Sequence, residues 1–456
     1  MTFITEQARE TPLIETYDVV VAGGGTAGAV AAIAAARNGA RTLLVERSGF
    51  LGGHIASQLL EHSAGWFDAN GERIVGGLPQ ELVDRLVAVG ASPGHIRDDT
   101  GYTVSRVPVN HEMFKSVITA LVAEAGVDTL LFSPVVAVLK TLDSVSGVII
   151  ENKSGRMAYR AGIVVDCTGD ADVAERAGCA FLSDDGEQTQ PVSLLFKLGG
   201  IDHSELLRHV IRNESEFKLG LPATDLKGHD FINLWGFGAE LKRAFQEGVL
   251  SLERNELHYS GWVRTGEGVV NVTRYAADST SAEELALAEV VLRRQVLEFL
   301  TFFRSYIPGA AQCHLASSAS CVGVRESRRI CGERVLSNDD VRSGQRFEDA
   351  VVRGGFPMDS HAARGISMDS TEQLGSSYDI PLSVMLPRDM EGLIVAGRCI
   401  SAERKALASA RISGTCMAMG QAAGTAAALA VRQHSSLRDL DVHAVRNTLT
   451  AQGAII

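Results

Sequence analysis

Arginine side chains at two places in this sequence are suited to binding or stabilising a negative charge. Arg274 ends the segment VNVTR, and Arg325 lies in GVRESRR, a dense basic segment at residues 323–329. A guanidinium group can clamp a carboxylate with two hydrogen bonds or stabilise an oxyanion. We therefore predict catalytic roles for Arg274 and Arg325. The structural alternatives are an interdomain salt bridge at Arg274 and a solvated or salt-bridged loop at 323–329.

A histidine and a tyrosine stand side by side at His258 and Tyr259. Imidazole titrates near neutral pH, so this pair could supply a general acid or base. We predict that His258 is catalytic and that the pair precedes a turn at Gly261, with a purely structural role as the alternative. The sequence contains neither a G-x-S-x-G elbow nor an H-E-x-x-H motif, which argues against a hydrolase.

Glycines near the start of the chain have the spacing of a dinucleotide-binding turn. Gly23, Gly25 and Gly28 follow the apolar run at 17–22 and open an Ala-rich helical segment. In such a turn the glycines allow a tight bend, close approach of a pyrophosphate and close packing of helix on strand. Glu46 ends the next apolar run, 18 residues past Gly28, as expected for a carboxylate that binds a ribose.

Two later apolar runs also end on glycine, at Gly169 and Gly397. Ligands of an open parallel sheet lie outside the carboxyl ends of its strands, so we expect these glycines to meet the first turn at one site. A site built from the start, middle and end of the chain suits a long cofactor such as FAD. We expect the small-residue helix at Gly420 to direct its N-terminus at the flavin. An NAD-dependent dehydrogenase without flavin is the alternative.

Composition narrows the class of protein. The 456 residues are 45% hydrophobic and 21% charged, with a net charge of −12, so a nucleic acid or an anionic membrane is not expected as a partner. The 7 cysteines form no C-x-x-C pair, which indicates reduced thiols, no metal site and a cytoplasmic location. The polar N-terminus lacks a signal core, and the apolar segment 416–431 is too short to span a bilayer.

The order of the predicted elements indicates an α/β fold with four sections. We predict a Rossmann-like FAD-binding domain, with a parallel sheet and an antiparallel β insertion, together with an inserted α+β substrate domain. The sections are an N-terminal arm, the first part of the FAD-binding domain, the substrate domain, and the return of the FAD-binding domain with C-terminal helices. Their predicted bounds are 1–16, 17–190, 191–320 and 321–456.

At several of these segments the chain resembles the FAD-dependent oxidoreductase family of the glutathione-reductase-like superfamily, in the branch related to fumarate reductase and succinate dehydrogenase flavoproteins. The resemblance covers nearly the whole chain. The segments that carry it are AGGGTAGAVAAIAAARNGARTLLVE, GFLGG at 49–53, DCTGDADVAERAG at 166–178, VNVTR at 270–274, GVRESRRI at 323–330 and AGRCISAERKALASARISGTCMAMGQAAGTAAALAV at 396–431.

The resemblance implies contacts along the whole length of FAD, beyond the glycine turn and Glu46. At the adenosine and pyrophosphate end, the implied residues are Arg47 near the adenine, Val136 through its backbone, and Gly169 with Asp170 beside the pyrophosphate. At the flavin end, the implied residues are Gly52 and Gly53, Gly397 with Arg398 at the ribityl phosphate, and Gly420.

His54 directly follows Gly52 and Gly53, so a loop that passes the flavin would bring this imidazole near it. We include His54 among the catalytic candidates. Some related flavoproteins attach FAD covalently through a histidine in this region. We favour the alternative, in which His54 lies at the surface or in a pocket without a covalent bond to FAD.

These residues together predict an enzyme, an FAD-dependent oxidoreductase. It would transfer a hydride between flavin N5 and a small polar or anionic substrate. A flavin monooxygenase or hydroxylase and a non-catalytic flavin-binding protein are the alternatives. The expected partner is a small molecule, and a homo-oligomer is compatible with the sequence.

Overall fold

The computed structural model describes Ile4 and residues 7–183, 189–361 and 370–456. The helices are α1 Thr26–Arg37, α2 Gly53–Ser57, α3 Leu78–Ala88, α4 His111–Glu124, α5 Asp172–Ala177, α6 His203–Arg212, α7 Gly238–Gln246, α8 Ala282–Tyr306, α9 Asn338–Ser343, α10 Arg404–Ala410, α11 Ser413–Gln433 and α12 Val442–Ala451. The strands are β1 Leu13–Ala22, β2 Thr42–Val45, β3 His62–Ser63, β4 Ile96–Arg97, β5 Ser105–Pro108, β6 Asp128–Leu130, β7 Val135–Lys140, β8 Val145–Asn152, β9 Gly155–Asp166, β10 Phe196–Gly199, β11 Phe231–Gly236, β12 Leu257–Trp262, β13 Glu267–Asn271, β14 His314–Ser318, β15 Ala350–Gly354, β16 Met358–Ser360, β17 Ser370–Glu372, β18 Tyr378–Pro381 and β19 Leu393–Val395.

The main sheet joins parallel strands to an antiparallel insertion. Strands β6, β2, β1 and β9 are parallel neighbours, and β19 pairs with the carboxyl-terminal end of β9. The amino-terminal half of β9 pairs instead with β8, which continues antiparallel to β7. The predicted α/β fold class, with a Rossmann-like parallel sheet and an antiparallel insertion, is confirmed.

Helices α1 and α11 pack closely because their facing residues are small. A side chain on Gly420 would overlap the carbonyl oxygen of Ala27, and one on Gly424 would overlap that of Ala31. Both helices are buried along most of their length. The two glycines therefore let backbone meet backbone across this contact.

A second, fully antiparallel sheet lies in the middle of the chain, in the order β11-β12-β13-β10-β14. Its buried side chains form a hydrophobic core with helices α6, α7 and α8, and this core is distinct from the one around the main sheet. The middle of the chain therefore buries apolar surface of its own.

Two expectations about local structure are wrong. Strand β1 begins at Leu13, within the predicted arm, because Leu13 to Thr16 pair with the edge of β9. Gly261 lies inside β12 opposite Gly268 instead of forming a turn. Among the described residues, the polar, Gly-rich segment 337–377 contains α9, β15, β16 and β17. Short strands of this kind depend on distant partners, which local sequence does not reveal.

None of the helices in the described part of the chain combines the length and apolarity that a bilayer crossing requires. The seven cysteines all fall among described residues, and each carries a free thiol.

Candidate functional site

The carboxyl ends of three parallel strands meet at one edge of the main sheet. The Gly23 N–H donates to the Val45 carbonyl at 2.8 Å, and the Cys167 N–H donates to the Ala22 carbonyl at 2.8 Å. On the far side, β19 pairs with the end of β9 through Val395 and Asp166. The expectation that the first glycine turn and the later strand ends meet at one place is confirmed.

The glycine turn leaves an open, positively polarised space at the start of α1. Gly23 has a φ of +96°, and a side chain on Gly28 would overlap the Gly23 carbonyl oxygen. Gly25 is the N-cap of α1, so no side chain covers the first N–H groups, and no acidic residue lies in the first turn. A Cβ on Gly25 would meet only the Cα of Gly53, at 3.8 Å. Such a helix start binds phosphate.

Glu46 and the 49–53 loop border this turn. The Glu46 carboxylate accepts the Gly24 N–H at 2.6 Å and the Ser48 N–H at 2.7 Å, and each oxygen keeps a lone pair for a ribose hydroxyl. The Gly52 N–H donates to the Gly24 carbonyl at 2.9 Å. Gly52 has a φ of +107°, and a Cβ on Gly53 would come within 2.9 Å of the Gly25 Cα. Gly52 and Gly53 therefore lie directly against the turn.

Asp170 and Arg398 form an ion pair between the second and third strand ends. Arg398 Nη2 lies 2.7 Å from Asp170 Oδ1, and Nη1 donates to Ser327 Oγ at 2.8 Å. Burial raises the pKa of Asp170, but the charge of Arg398, a hydrogen bond of Ser327 and the charge of Arg47 outweigh it, so the pKa is lowered overall. Gly169, with a φ of +82°, leaves room for the Arg398 guanidinium.

The remaining predicted cofactor residues, Val136, Gly397 and Gly420, lie in three different structural environments. Val136 lies at a register shift of β7, so its backbone falls outside the regular pairing with β8. Gly397 has a φ of +94° directly after β19. Gly420 lies two turns inside α11 against α1, and its approach to the flavin stays a prediction; the helix starts at Ser413, and that residue faces the cavity described next.

A cavity of about 290 Å³ lies between the two hydrophobic cores. It is lined by all four predicted catalytic residues, His54, His258, Arg274 and Arg325, and by Arg398 from the cofactor set. Sequence reasoning missed further lining groups because no motif marks them. They include Arg254, Arg411, Asp359, His361, Tyr102 and Trp235. Arg411 lies within the last quoted family segment, which was the one signal available.

Positive charge dominates the cavity. Burial, Arg325 and Arg254 lower the pKa of Arg274 far below its usual range. Burial and Arg411 lower the pKa of Arg325 to about 9. Burial raises the pKa of Asp359, but His361, Arg411 and Arg325 outweigh it and hold this carboxylate charged. Arginines that disfavour one another's charge in this way define a site for an anion.

Two histidines of the cavity are neutral at physiological pH. Burial, with Arg411 and Arg398, lowers the pKa of His54 to about 4. Burial, with Arg106 and Arg274, lowers the pKa of His258 to about 3. Both imidazoles are therefore able to accept a proton, and an anion bound to the arginines would raise their pKa.

A chain of hydrogen bonds fixes the tautomer of His258. Asn233 Nδ2 donates to Asp98 Oδ1 at 3.2 Å, which leaves Asn233 Oδ1 to accept from His258 Nε2 at 2.5 Å. Arg106 clamps the buried Asp98 carboxylate with two hydrogen bonds, at 2.5 and 2.9 Å. With its proton on Nε2, His258 presents Nδ1 as the nitrogen that accepts a proton.

Comparison with known proteins shows the family. Residues 18–449, nearly the whole chain, match the family described as FAD dependent oxidoreductase. The chain belongs to the FAD-dependent oxidoreductase family. As a member of this family it is an enzyme, and its cofactor is FAD.

Individual relatives are more distant than the family. Over 169 residues the chain is 29% identical to the digeranylgeranylglycerophospholipid reductase of Thermoplasma acidophilum and 31% identical to that of Thermoplasma volcanium. The matched stretch spans 34% of this chain and 40% of each relative, less than half of their length. A geranylgeranyl bacteriochlorophyll reductase-like structure from Thermoplasma acidophilum is similar with a TM-score of 0.48 and 14% identity, covering 96% of this chain and 84% of that one. The structure of p-nitrophenol 4-monooxygenase from Pseudomonas putida is similar with a TM-score of 0.47 and 14% identity, covering 96% of this chain and 89% of that one.

The residues present in this member of the FAD-dependent oxidoreductase family fit FAD. The space beside Gly25 is open, the α1 N-terminus is uncapped, and the Glu46 carboxylate faces the same turn. The flavin half has room next to Arg398 and the N-terminus of α11, where Ser413 lines the cavity. Among the described residues, no group of three or more His, Cys, Asp or Glu could hold a metal ion.

Three residues near the catalytic candidates take structural roles in this oxidoreductase. Arg328 donates to the Asp170 carbonyl at 2.5 Å, and Arg329 donates to the Ala402 carbonyl at 2.7 Å. Tyr259 is fully buried and shares a 2.8 Å hydrogen bond with His203. Side chains alternate along β12, so Tyr259 points into the core whereas His258 lines the cavity.

Proposed function

We propose that this enzyme transfers a hydride between FAD and a small anionic substrate bound in the cavity. The observation that carries the proposal is the meeting of neutral histidines and mutually repelling arginines in one cavity beside the cofactor residue Arg398. Charge of this sign recruits and orients an anion, and the neutral imidazoles provide proton acceptors.

The arginines do the binding. Within the described ranges, the hydrogen bonds of the Arg274 guanidinium go to neutral oxygens, Asn271 Oδ1 at 2.9 Å and the Thr273 carbonyl at 2.8 Å, so its charge is available to a carboxylate. The Arg274 backbone is held by Gln295, whose amide bonds both its N–H and its carbonyl. This fixed guanidinium would orient one end of the substrate.

Bound FAD supplies a two-electron centre that accepts or returns a hydride at N5. In the dehydrogenation direction the substrate also loses a proton, and His258 Nδ1 takes it up. In the reduction direction the same nitrogen returns the proton to the product. His54, at the start of α2, is the second residue able to hold a proton near the cofactor.

Several finer expectations belong to this proposal. They are the cofactor contacts predicted from the resemblance and the fumarate reductase-related branch. The division of the chain at residues 190 and 320, a cytoplasmic location, a small-molecule partner and a homo-oligomer also stay predictions. The open glycine turn supports the predicted cofactor contacts. The separate hydrophobic cores support the division of the chain.

Anaerobic screening of small metabolites tests the proposal. Holoenzyme is mixed with each compound, and loss of the oxidised flavin absorbance is recorded; reoxidation by oxygen, quinone or NAD(P)+ then identifies the acceptor. We expect bleaching by a carboxylate-containing compound. Oxygen uptake driven by NAD(P)H and dependent on substrate would instead indicate a monooxygenase. A flavin that neither substrates nor NAD(P)H can reduce would indicate a non-catalytic flavin-binding protein.

Arg274→Met should lower kcat/KM for the substrate identified in this screen. A hydrogen bond between charged groups contributes about 1.5–3 kcal/mol, which predicts a fall of roughly 10- to 100-fold. Arg274→Lys should restore part of the loss, since charge returns without the bidentate geometry. The matched control is Arg264→Met, on an exposed turn of the same domain. Equal kcat/KM in Arg274→Met and Arg264→Met would contradict the role of Arg274.

A further inference from the structure

One part of the cavity is a continuous wall of rings, which will be called the ring wall: Phe356, Tyr102, Trp235, His258 and His62. The ring centroids of Tyr102 lie 5.7 Å from Phe356 and 5.4 Å from Trp235. Trp235 lies 5.9 Å from His258, which lies 5.3 Å from His62. All five rings line the cavity.

The ring wall is held in place from behind. Lys218 Nζ lies 4.5 Å from the centre of the Trp235 ring and also bonds Glu256 at 2.6 Å. Asn233 holds His258, as described above. Burial, together with Asp359, raises the pKa of the Tyr102 hydroxyl, so this ring stays neutral. A rigid, uncharged array of rings offers faces and edges to a planar ligand.

The other part of the cavity is cationic and incompletely partnered. The Arg411 Nε atom is buried and has no hydrogen-bond partner among the described residues. Arg325 Nη1 donates to the Pro191 carbonyl, a neutral oxygen, at 2.5 Å. With Arg274, these groups present buried donors and positive charge that the Asp359 carboxylate offsets only in part. A bound anion would supply the missing acceptors.

Size limits the ligand further. The cavity volume of about 290 Å³ is at the lower end of the roughly 300–1,000 Å³ typical of small-molecule pockets. The flavin half of FAD would take up part of this volume, which leaves space for a small ligand and not for a long prenyl chain.

We propose that the cavity binds an aromatic carboxylate, with its ring against the ring wall and its carboxylate on Arg274, Arg325 and Arg411. The inference rests on the proposed function, whose anionic substrate it assigns to a chemical class. An aliphatic acid would leave the ring faces without a planar partner, and a neutral arene would leave the arginines without a counter-charge. Only a molecule with both features matches both parts of the cavity.

Calorimetric titration of the oxidised holoenzyme tests this class without turnover. The probes are benzoate, cyclohexanecarboxylate and benzyl alcohol, which separate the ring from the carboxylate at nearly constant size. We expect benzoate to bind about 3- to 10-fold more tightly than cyclohexanecarboxylate, from ring contacts, and at least about 10-fold more tightly than benzyl alcohol, from charge. Binding of either comparison compound as tight as that of benzoate, or no binding of benzoate, would overturn the proposal.

Variants assign the preference to the ring wall. Trp235→Leu should reduce the preference for benzoate over cyclohexanecarboxylate to about one, whereas Trp235→Phe should keep it. The matched control is Trp262→Leu, in the same sheet beside Phe231 and not among the residues that line the cavity. If Trp235→Leu loses its FAD, Tyr102→Leu provides the second test of the wall. An unchanged preference in a folded Trp235→Leu or Tyr102→Leu enzyme would refute the ring wall as the binding surface.

The outcomes separate this inference from the proposed function. If benzoate binds with the expected preference but no compound reduces the flavin, the hydride-transfer proposal fails and the ligand class stands. If an aliphatic acid bleaches the flavin and benzoate does not bind, the ligand class fails and the hydride-transfer proposal stands.

Discussion

At the scale of single residues, the hydrogen-bond chain behind His258 decides which of its nitrogens can react. Asp98 is buried and clamped by Arg106, so it orients the Asn233 amide, and the amide in turn orients the imidazole. Burial raises the pKa of Asp98, but Arg106 outweighs it and keeps the carboxylate ionised. Asn233 is thus a positioning residue that acts through His258.

Asn233→Ala should lower kcat by roughly 10- to 100-fold with a smaller change in KM, because a general base contributes about 10²- to 10⁴-fold and remains present but misoriented. The pH profile should also shift, since the tautomer is no longer fixed. Steady-state kinetics on the substrate from the anaerobic screen measure both effects.

The chain offers a matched control for this variant. Asn213 also lies beside a histidine, His209, at 3.2 Å, but on the exposed end of α6. Asn213→Ala should leave kinetics and pH profile unchanged. If Asn233→Ala retains the wild-type pH profile and kcat, the positioning role is refuted.

The sequence indicated the candidate residues His258 and Arg274 more readily than the residues that support them. His258 and Arg274 stood out because imidazole and guanidinium groups have few chemical roles. Asn233 and Asp98 did not stand out, because both lie in or next to ordinary strands and are 135 residues apart in the sequence. From the sequence alone, Trp235 resembles a core residue of β11. Its position next to His258 depends on the pairing of β11 with β12.

At the scale of elements, the contact between α1 and α11 holds the glycine turn in place. Backbone approaches backbone at Gly420 and Gly424, so α1 cannot shift without opening this contact. With the phosphates of FAD at the α1 N-terminus, as proposed above, helix packing and cofactor binding would be coupled.

Gly420→Ala should destabilise the enzyme, because the added methyl group would overlap the Ala27 carbonyl oxygen. Overpacking of this kind costs about 1–3 kcal/mol. Urea unfolding of the holoenzyme measures the change. In the control Gly375→Ala, nothing lies within 4 Å of the added methyl group, and we expect almost no effect. A stable Gly420→Ala enzyme with an altered flavin spectrum would instead support a direct contact with the flavin.

Elements with local signals were predicted closely. Asn110 caps α4 with its side chain, and Gly126, with a φ of +74°, follows that helix. The S-x-x-E spacing at Ser281 forms half of a capping box: Ser281 accepts the Glu284 N–H, but Glu284 accepts the Asp278 N–H instead of the Ser281 N–H. Local spacing indicates which groups can meet, and tertiary packing decides which of them do.

At the scale of the whole molecule, burial of neutral histidines links stability to pH. Burial lowers the pKa of His203 to about 4 from 6.5, and His54, His258 and His361 are lowered as well. Between pH 6.5 and about pH 4, these histidines bind protons in the unfolded chain but not in the folded chain. Stability is therefore full above about 6.5 and falls as the pH drops toward 4.

We expect the free energy of unfolding, measured with urea, to decrease steadily across this acidic range. His203→Gln should make the decrease shallower by removing one of the titrating groups. His443→Gln, at an exposed position on α12, should leave the slope unchanged. A stability that stays constant from neutral pH to pH 5 would contradict the linkage.

The pairing of β19 with β9, and of α11 with α1, has a consequence for synthesis on the ribosome. The glycine turn at Gly23 is translated early, but α11, the helix that packs on α1, is complete only at Gln433, some four hundred residues later. Until then, the small-residue face of α1 lacks the α11 face that packs on it, and the proposed flavin site is incomplete. FAD is therefore expected to join the chain late in translation or after release, and the nascent N-terminal third would depend on chaperones to cover this face.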